Sequence, residues 1–426
     1  MTEIITLENG LRIVFENSEN AKTCSVVIWI ASGSSYETPE TAGFSHFIEH
    51  MIFKGTKKRS ALDIAVEMDE IGGYLNAYTA REATCFYART LSEHMPKALD
   101  ILCDMVKNPR LDEKDIELEK GVIKEEISMY EDSPEDICAD TFYENVWSGS
   151  MLGSNILGTE QTVDSAAKES LAAHIAKFYV PERTVISISG KFDREKAVEI
   201  CKEYFADAEN TGFELNPTSA EFNPCTVTIK KDFMQNQLIL GFKGIQSGNI
   251  RREHALLISS ILGSTPSSRL FQHIRENLGL VYSIDTACVS HLKAGIFTVC
   301  MGLSAKSEEK AIRETLEIIS EFSETVTEKE LARAKEQAVT GFVMDLENIS
   351  SHASRNGRNL LFYGRSIAEE EVIKNIRSVT LDDIRKTASE IFDISKMALC
   401  VAGKVKSKKK YKEIINSFIQ GSMQND

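Results

Sequence analysis

The sequence predicts an α+β fold of two homologous domains, each a mainly antiparallel sheet packed with helices. Three observations carry this. Short runs alternating with period two are interleaved with longer runs of helical period. Residues 206–224 are rich in Asn, Pro, Thr, Ser and Glu and read as a linker. The second half also repeats the first: Glu169–Phe205 aligns without a gap on Asp382–Phe418, a shift of 213 (382 − 169). In that alignment Leu171 meets Ile384, Phe178 meets Ile391, Gly190 meets Gly403, Lys191 meets Lys404 and Phe205 meets Phe418. A repeat of this length means duplicated domains, not a solenoid. The expected domains are 1–205 and 225–426, joined by 206–224.

In chain order, Ile4–Leu7 and Leu11–Phe15 flank Glu8-Asn9-Gly10 as a β-hairpin. Val26–Ile30 is nearly continuous apolar sequence and reads as a buried strand. Gly33–Gly43 is a loop, and Phe44–Met51 begins a helix. Ala61–Ile71 is amphipathic and stops at Gly72-Gly73. Tyr74–Thr79 and Ala83–Leu91 alternate as two strands. Helices follow at 93–107, 112–131, 134–147 and 166–178, then strand Thr184–Ser189 and helix 193–205. In the second half, Gln237–Phe242 corresponds to strand 26–30, Ala255–Leu262 to the helix after Gly43, and Thr327–Asn348 to helix 112–131. Gly341 there stands opposite Glu126.

Composition narrows the class. The 426 residues are 42% hydrophobic and 27% charged, which is ordinary globular composition. A net charge of −15 disfavours nucleic acid as a partner. No run of 18 apolar residues exists to span a membrane. The N-terminal residues lack a basic and an apolar signal region, so a cytoplasmic location is expected. Nine cysteines, an odd number without a C-x-x-C pair, read as reduced core thiols; Cys24, Cys85 and Cys400 lie in apolar runs.

The chemistry concentrates in His46-Phe47-Ile48-Glu49-His50, an H-x-x-E-H string. Residues four apart share a helix face, so His46 and His50 can address one metal ion. Glu49 can then sit beside that ion without ligating it, where it can take a proton from water. Two histidines leave a third ligand to be found. Helix 112–131 is dense in acids, which by themselves fit a solvated face. Glu119 and Glu126, seven apart, share a face with Val122 and Ile123 and can equally point inward, where a carboxylate needs a cation or donors.

The string Gly43-Phe44-Ser45-His46-Phe47-Ile48-Glu49-His50-Met51-Ile52-Phe53-Lys54-Gly55-Thr56 resembles the signature of the insulinase/pitrilysin family of zinc peptidases, whose H-x-x-E-H order marks the inverzincins. It is most similar to the branch that includes the mitochondrial processing peptidase β-subunit and short bacterial homologues. The resemblance spans essentially the whole chain. It implies one zinc per chain, bound by His46, His50 and Glu126, with Glu49 as general base. Glu126 lies 76 residues after His50, inside the matching run Glu119-Lys120-Gly121-Val122-Ile123-Lys124-Glu125-Glu126-Ile127. Glu119 is then the acid behind the ligands, and Glu125 lies about 100° away from its face.

Gly72-Gly73-Tyr74-Leu75-Asn76-Ala77-Tyr78-Thr79 resembles the family's edge strand for extended substrates, with Asn76 and Ala77 in the substrate-binding positions. Arg275 and Tyr282 match the spacing of the family's substrate-orienting pair; Gly263-Ser264-Thr265-Pro266 stands where relatives carry a Gly-rich run. The resemblance implies hydrolysis of peptides or unfolded segments in a closed chamber. A homodimer is the expected assembly, with Arg275 and Tyr282 reaching across it, and a hetero-oligomer is the alternative. The rival functional reading is a non-catalytic or partner-dependent subunit of a processing complex.

Overall fold

A computed structural model describes residues 2–212 and 214–425, with side chains through 420. The chain forms two compact units. The first comprises Met1–Ile127, Ser154–Pro217 and Phe342–Ala368; the second comprises Ser128–Gly153, Thr218–Gly341 and Glu369–Asp426.

The first unit holds β1 (Thr2–Thr6), β2 (Arg12–Asn17), β3 (Thr23–Ile30), β4 (Tyr74–Thr79), β5 (Thr84–Leu91) and β6 (Thr184–Gly190). They form one sheet in the order β1-β2-β6-β3-β5-β4, antiparallel except for β2 beside β6. β1 and β2 are the expected hairpin. β3 starts at Thr23, earlier than the apolar run, with Cys24 and Ser25 also buried at its beginning. The second unit holds β7 (Thr226–Lys230), β8 (Asn236–Lys243), β9 (Val281–Ser290), β10 (Gly295–Leu303) and β11 (Ala398–Gly403). Their order is β7-β11-β8-β10-β9, again with a single parallel pair, β7 with β11. Without β1, the two sheets have the same order, directions and single parallel pair. That is the repeat seen in the sequence, and the α+β class with two mainly antiparallel sheets stands.

Helices before residue 150 are α1 (Phe44–Ile52), α2 (Ala61–Glu70), α3 (Met95–Lys107), α4 (Glu113–Asp132) and α5 (Pro134–Val146). Next come α6 (Glu160–Ser165), α7 (Lys168–Phe178), α8 (Arg194–Phe205) and α9 (Arg251–Leu262). Then follow α10 (Glu308–Ser320), α11 (Phe322–Thr325), α12 (Glu328–Asp345), α13 (Ile349–Tyr363), α14 (Glu369–Ser378), α15 (Leu381–Ile391) and α16 (Lys408–Asn425). The short α6 lies where the sequence predicts no helix, because only Val163 is buried and the element has almost no periodic signal; Thr159 caps it.

The residues 206–224 separate the two sheets but not the helices that cover them. α5, although it precedes that stretch, buries Cys138, Phe142 and Val146 in the second unit with Ile239 and Cys400. Gly241 makes room for it, since a Cβ there would lie 2.1 Å from the Phe142 ring. α13, from the second half, instead lies on β3 and β6 of the first unit and buries Ala353, Leu360 and Leu361 beside Trp29. The Trp29 indole N–H donates to Ser354 O at 3.1 Å, fixing the contact. Helical period shows that a helix has an apolar face but not which sheet receives it. Among the described residues, no helix is long and apolar enough to cross a membrane.

Candidate metal centre

α1 begins at Gly43, whose φ of +89° places it in the left-handed region. A side chain is excluded there: a Cβ would lie 2.5 Å from Leu157 O. The helix buries Phe44, Phe47, Ile48, Met51 and Ile52, which fixes its rotation. His46, Glu49 and His50 are left on its less apolar side, toward β4 and α4.

α4 supplies the carboxylates. Ile116, Glu119, Ile123 and Ile127 are its buried residues, Glu126 is half-buried and Glu125 is exposed. Val122, expected on the inward face, is instead 49% exposed, because it lies at the border of a stripe centred on Ile123. Glu126 Oε2 stands 3.7 Å from His46 Nε2 and 3.7 Å from His50 Nε2. One ligand atom from each of these three residues lies within 4.8 Å of the others. Zinc ligands at about 2.0–2.2 Å from one tetrahedral ion stand roughly 3.3–3.6 Å apart, so the trio fits with a small contraction. Two imidazoles and one carboxylate also leave a fourth position, the pattern of an open zinc site.

The surrounding groups orient this trio. Glu119, 3% exposed, accepts a hydrogen bond from His50 Nδ1 at 2.9 Å, which turns His50 Nε2 toward Glu126. The other Glu119 oxygen pairs with Lys54. Burial opposes charge on Glu119, but these two partners outweigh it and hold its carboxyl below the usual range. Burial likewise opposes a proton on His50, yet Glu119, Glu126 and Glu49 together raise its pKa. Burial and the neighbouring His50 push His46 down to about 3, so its imidazole is neutral. The negative potential that favours a proton on His50 would favour a divalent cation in its place.

Glu49 is outside the trio. Its Oε2 accepts a hydrogen bond from Thr79 Oγ1 at 2.6 Å. Burial raises the Glu49 pKa against the lowering effect of Thr79. Thr79 closes β4, the edge strand of its sheet. Alternation along β4 puts residues 75, 77 and 79 on the side of α1 and 74, 76 and 78 on the other. Ala77 therefore faces the site. The Asn76 side chain faces away, with its amide donating to the Tyr74 hydroxyl at 3.0 Å.

Arg275 and Tyr282 lie in the second unit. Arg275 lies within a π-helical turn, Phe271–Asn277, with its guanidinium 4.6 Å over the Phe271 ring and 3.8 Å from Glu276. Tyr282, in β9, is 73% exposed. The structure thus gathers His46, Glu49, His50, Ala77, Glu119 and Glu126 around one point of the first unit. Two participants were not singled out from sequence. Lys54 lies in the turn that closes α1, past the last helical residue Ile52, where helical period does not point to it. Thr79 shares the strand parity of Ala77. In the second unit α9 stands in the place of α1; its one histidine, His254, is buried and hydrogen-bonded to Thr387.

Known proteins resemble this chain in sequence and in fold. Residues 12–160 match the model of the insulinase family (peptidase family M16), and residues 165–338 match the peptidase M16 inactive domain. A Bacillus subtilis protein described as an uncharacterized zinc protease is 38% identical over 395 residues, covering 92% of this chain and 96% of its own. A Rickettsia felis protein described in the same words is 37% identical, with 91% and 94% covered. Among solved structures, a protease from Helicobacter pylori superposes with a TM-score of 0.87 at 20% identity, covering 95% of this chain and 99% of its own. A chain of Candida albicans complex III2 gives 0.84 at 21% identity, with 97% and 99% covered. These two show the shared fold.

Proposed function

The chain belongs to the insulinase family, peptidase family M16, and from that premise we propose that it is a zinc metalloendopeptidase. The observation that carries the proposal is the convergence of His46, His50 and Glu126, with Glu49 beside them and outside the ligand set. These three residues hold one zinc ion per chain, and Glu119 fixes the His50 ring. When bound, zinc supplies a lowered pKa for a water molecule and polarisation of a peptide carbonyl. Glu49 accepts the proton of the attacking water and returns it to the leaving amine, a task suited to a carboxylate whose pKa is raised by burial. Thr79 holds Glu49 in place without taking the proton itself.

The substrate is an extended peptide or an unfolded segment. It adds to the free side of β4 by main-chain hydrogen bonds, which demand little of its sequence. Ala77, small and turned toward α1, leaves space for the added strand; Asn76 contributes its main chain and, through Tyr74, stiffens the edge. Arg275 and Tyr282 orient the substrate backbone and support the developing oxyanion. In a homodimer they act across the assembly. The rival, a non-catalytic subunit, calls for a lost ligand or base, whereas this chain retains the complete set.

Purified protein should cleave an internally quenched peptide, lose activity to a chelator and recover it with zinc. Full activity in zinc-free protein overturns the proposal.

A further inference from the structure

α1 has an unusual start. Its N-cap is a glycine in left-handed conformation, so the helix has no side chain of its own to cap it. A remote carboxylate does this instead. Glu37, 6% exposed, accepts the Gly43 amide on Oε2 at 2.7 Å and the Ser45 amide on Oε1 at 2.6 Å. Burial pushes the Glu37 carboxyl up to about 6, against the lowering effect of the Ser45 and Gly43 donors. At neutral pH it is therefore an anion at the positive end of the helix dipole.

Below it lies a buried polar cluster that no step of the proposed chemistry uses. Ser45 Oγ and Ser32 Oγ are 3.4 Å apart, and each lies near His174 Nε2, at 3.4 and 3.3 Å. Both serines are fully buried and His174 is 6% exposed. Burial pushes His174 down to about 3, so it is a neutral acceptor or donor between the two hydroxyls. Its ring packs 4.4 Å from Phe178 and 6.2 Å from Phe44.

The segment bearing Glu37 is itself pinned to the turn after β4. The Ser35 amide donates to Arg81 O at 2.8 Å, and a Cβ at Gly33 would lie 2.2 Å from Ala80 O. Thr79, which holds Glu49, immediately precedes that turn. The segment Gly33–Glu37 thus joins the start of the histidine helix, through the Glu37 carboxylate, to the turn after β4, through the Ser35 amide. Ser45, the residue it grips, adjoins His46.

We propose that Glu37 is a positioning residue for the metal centre: it touches neither zinc nor substrate, and it sets the axial position of α1 and registers it on the β4 turn. The Ser45–His174–Ser32 cluster ties the buried first turn of α1 to α7 and to the residues just after β3. The inference rests on the zinc-binding reading above.

The test measures zinc affinity by chelator competition in the full chain, for wild type, Glu37→Ala and Glu37→Gln. Phe142→Leu, a core change in the second unit, controls for lost stability. The expected result is a zinc Kd raised about 10–100-fold in Glu37→Ala, the range for supports behind metal ligands. Glu37→Gln, which keeps one acceptor for the two amides, should fall between; being isosteric, it carries the test if the alanine variant does not fold. At saturating zinc, kcat should fall with KM little changed. A lowered Tm with zinc affinity within about twofold of wild type, as expected for Phe142→Leu, overturns the proposal alone. Wild-type protein that binds no zinc overturns both this inference and the reading beneath it.

Discussion

Replacing Glu49 by Gln isolates the proton transfer from everything else in the site. The Thr79 hydroxyl, 2.6 Å from Glu49 Oε2, can donate equally to the glutamine carbonyl oxygen, so the side chain keeps its place. The three groups that fit the metal, His46, His50 and Glu126, are untouched. What disappears is the second oxygen and its ability to take a proton. General-base catalysis contributes roughly 10²–10⁴-fold, equivalent to about 2.7–5.4 kcal/mol of barrier at 1.36 kcal/mol per tenfold. The expected outcome is stoichiometric zinc by metal analysis, with kcat on a quenched peptide reduced by at least about a hundredfold. A variant that cleaves within threefold of the wild-type rate would refute the base assignment. One that loses its zinc would refute the placement of Glu49 outside the ligand set.

Other outcomes follow from individual contacts. Glu119→Gln removes the charged partner of His50 Nδ1 and of Lys54, and zinc Kd should rise about 10–100-fold in chelator competition. Gly→Ala substitutions at two helical positions should act in opposite directions. At Gly121 a Cβ meets nothing within 4 Å, and urea melts should show a gain of about 0.5–1 kcal/mol. At Gly357 it would lie 2.6 Å from Trp29 Cδ1 and 3.0 Å from Ser187 Cβ, so overpacking of about 1–3 kcal/mol should exceed the helical gain. Glu330 gives a pH signature in the second unit. Burial opposes its ionisation, but Arg269 and Thr327 hold its carboxyl down to about 2. The folded value lies below the unfolded one near 4.5, so the stabilisation is present above about pH 4.5 and is lost as pH falls toward 2. With solvent screening of this half-open pair, Glu330→Gln should cost about 1–2 kcal/mol in urea melts at pH 7 and almost nothing near pH 2.

Much of this protein is local and therefore readable along the chain. The spacing of His46, Glu49 and His50 is a property of one helix turn, and any helix through these residues puts both imidazoles on one face. The strand alternation at Tyr74–Thr79 and the self-match at Gly190 and Gly403 are equally short-range. The expected strands of the first half all form, with β3 extended by the buried Cys24 and Ser25. Periodicity failed where an element has almost no apolar face, as in α6, or where the face lies at the edge of a stripe, as at Val122.

The sequence alone determined the clustering of His46, Glu49 and His50 on one helix turn and the duplicated architecture, because both depend on residue order and helical or strand period. Tertiary structure decided which groups complete the site. Only packing of α4 on α1 makes Glu126 meet both imidazoles while Glu125 faces solvent. Only the pairing of β4 in its sheet brings Thr79 to Glu49 and turns Asn76 away. The exchange of α5 and α13 between the halves, and the capping of α1 by Glu37, are decided in the same way. Each joins segments whose separation in sequence carries no period, so their meeting is fixed by burial and hydrogen-bond satisfaction in the folded unit.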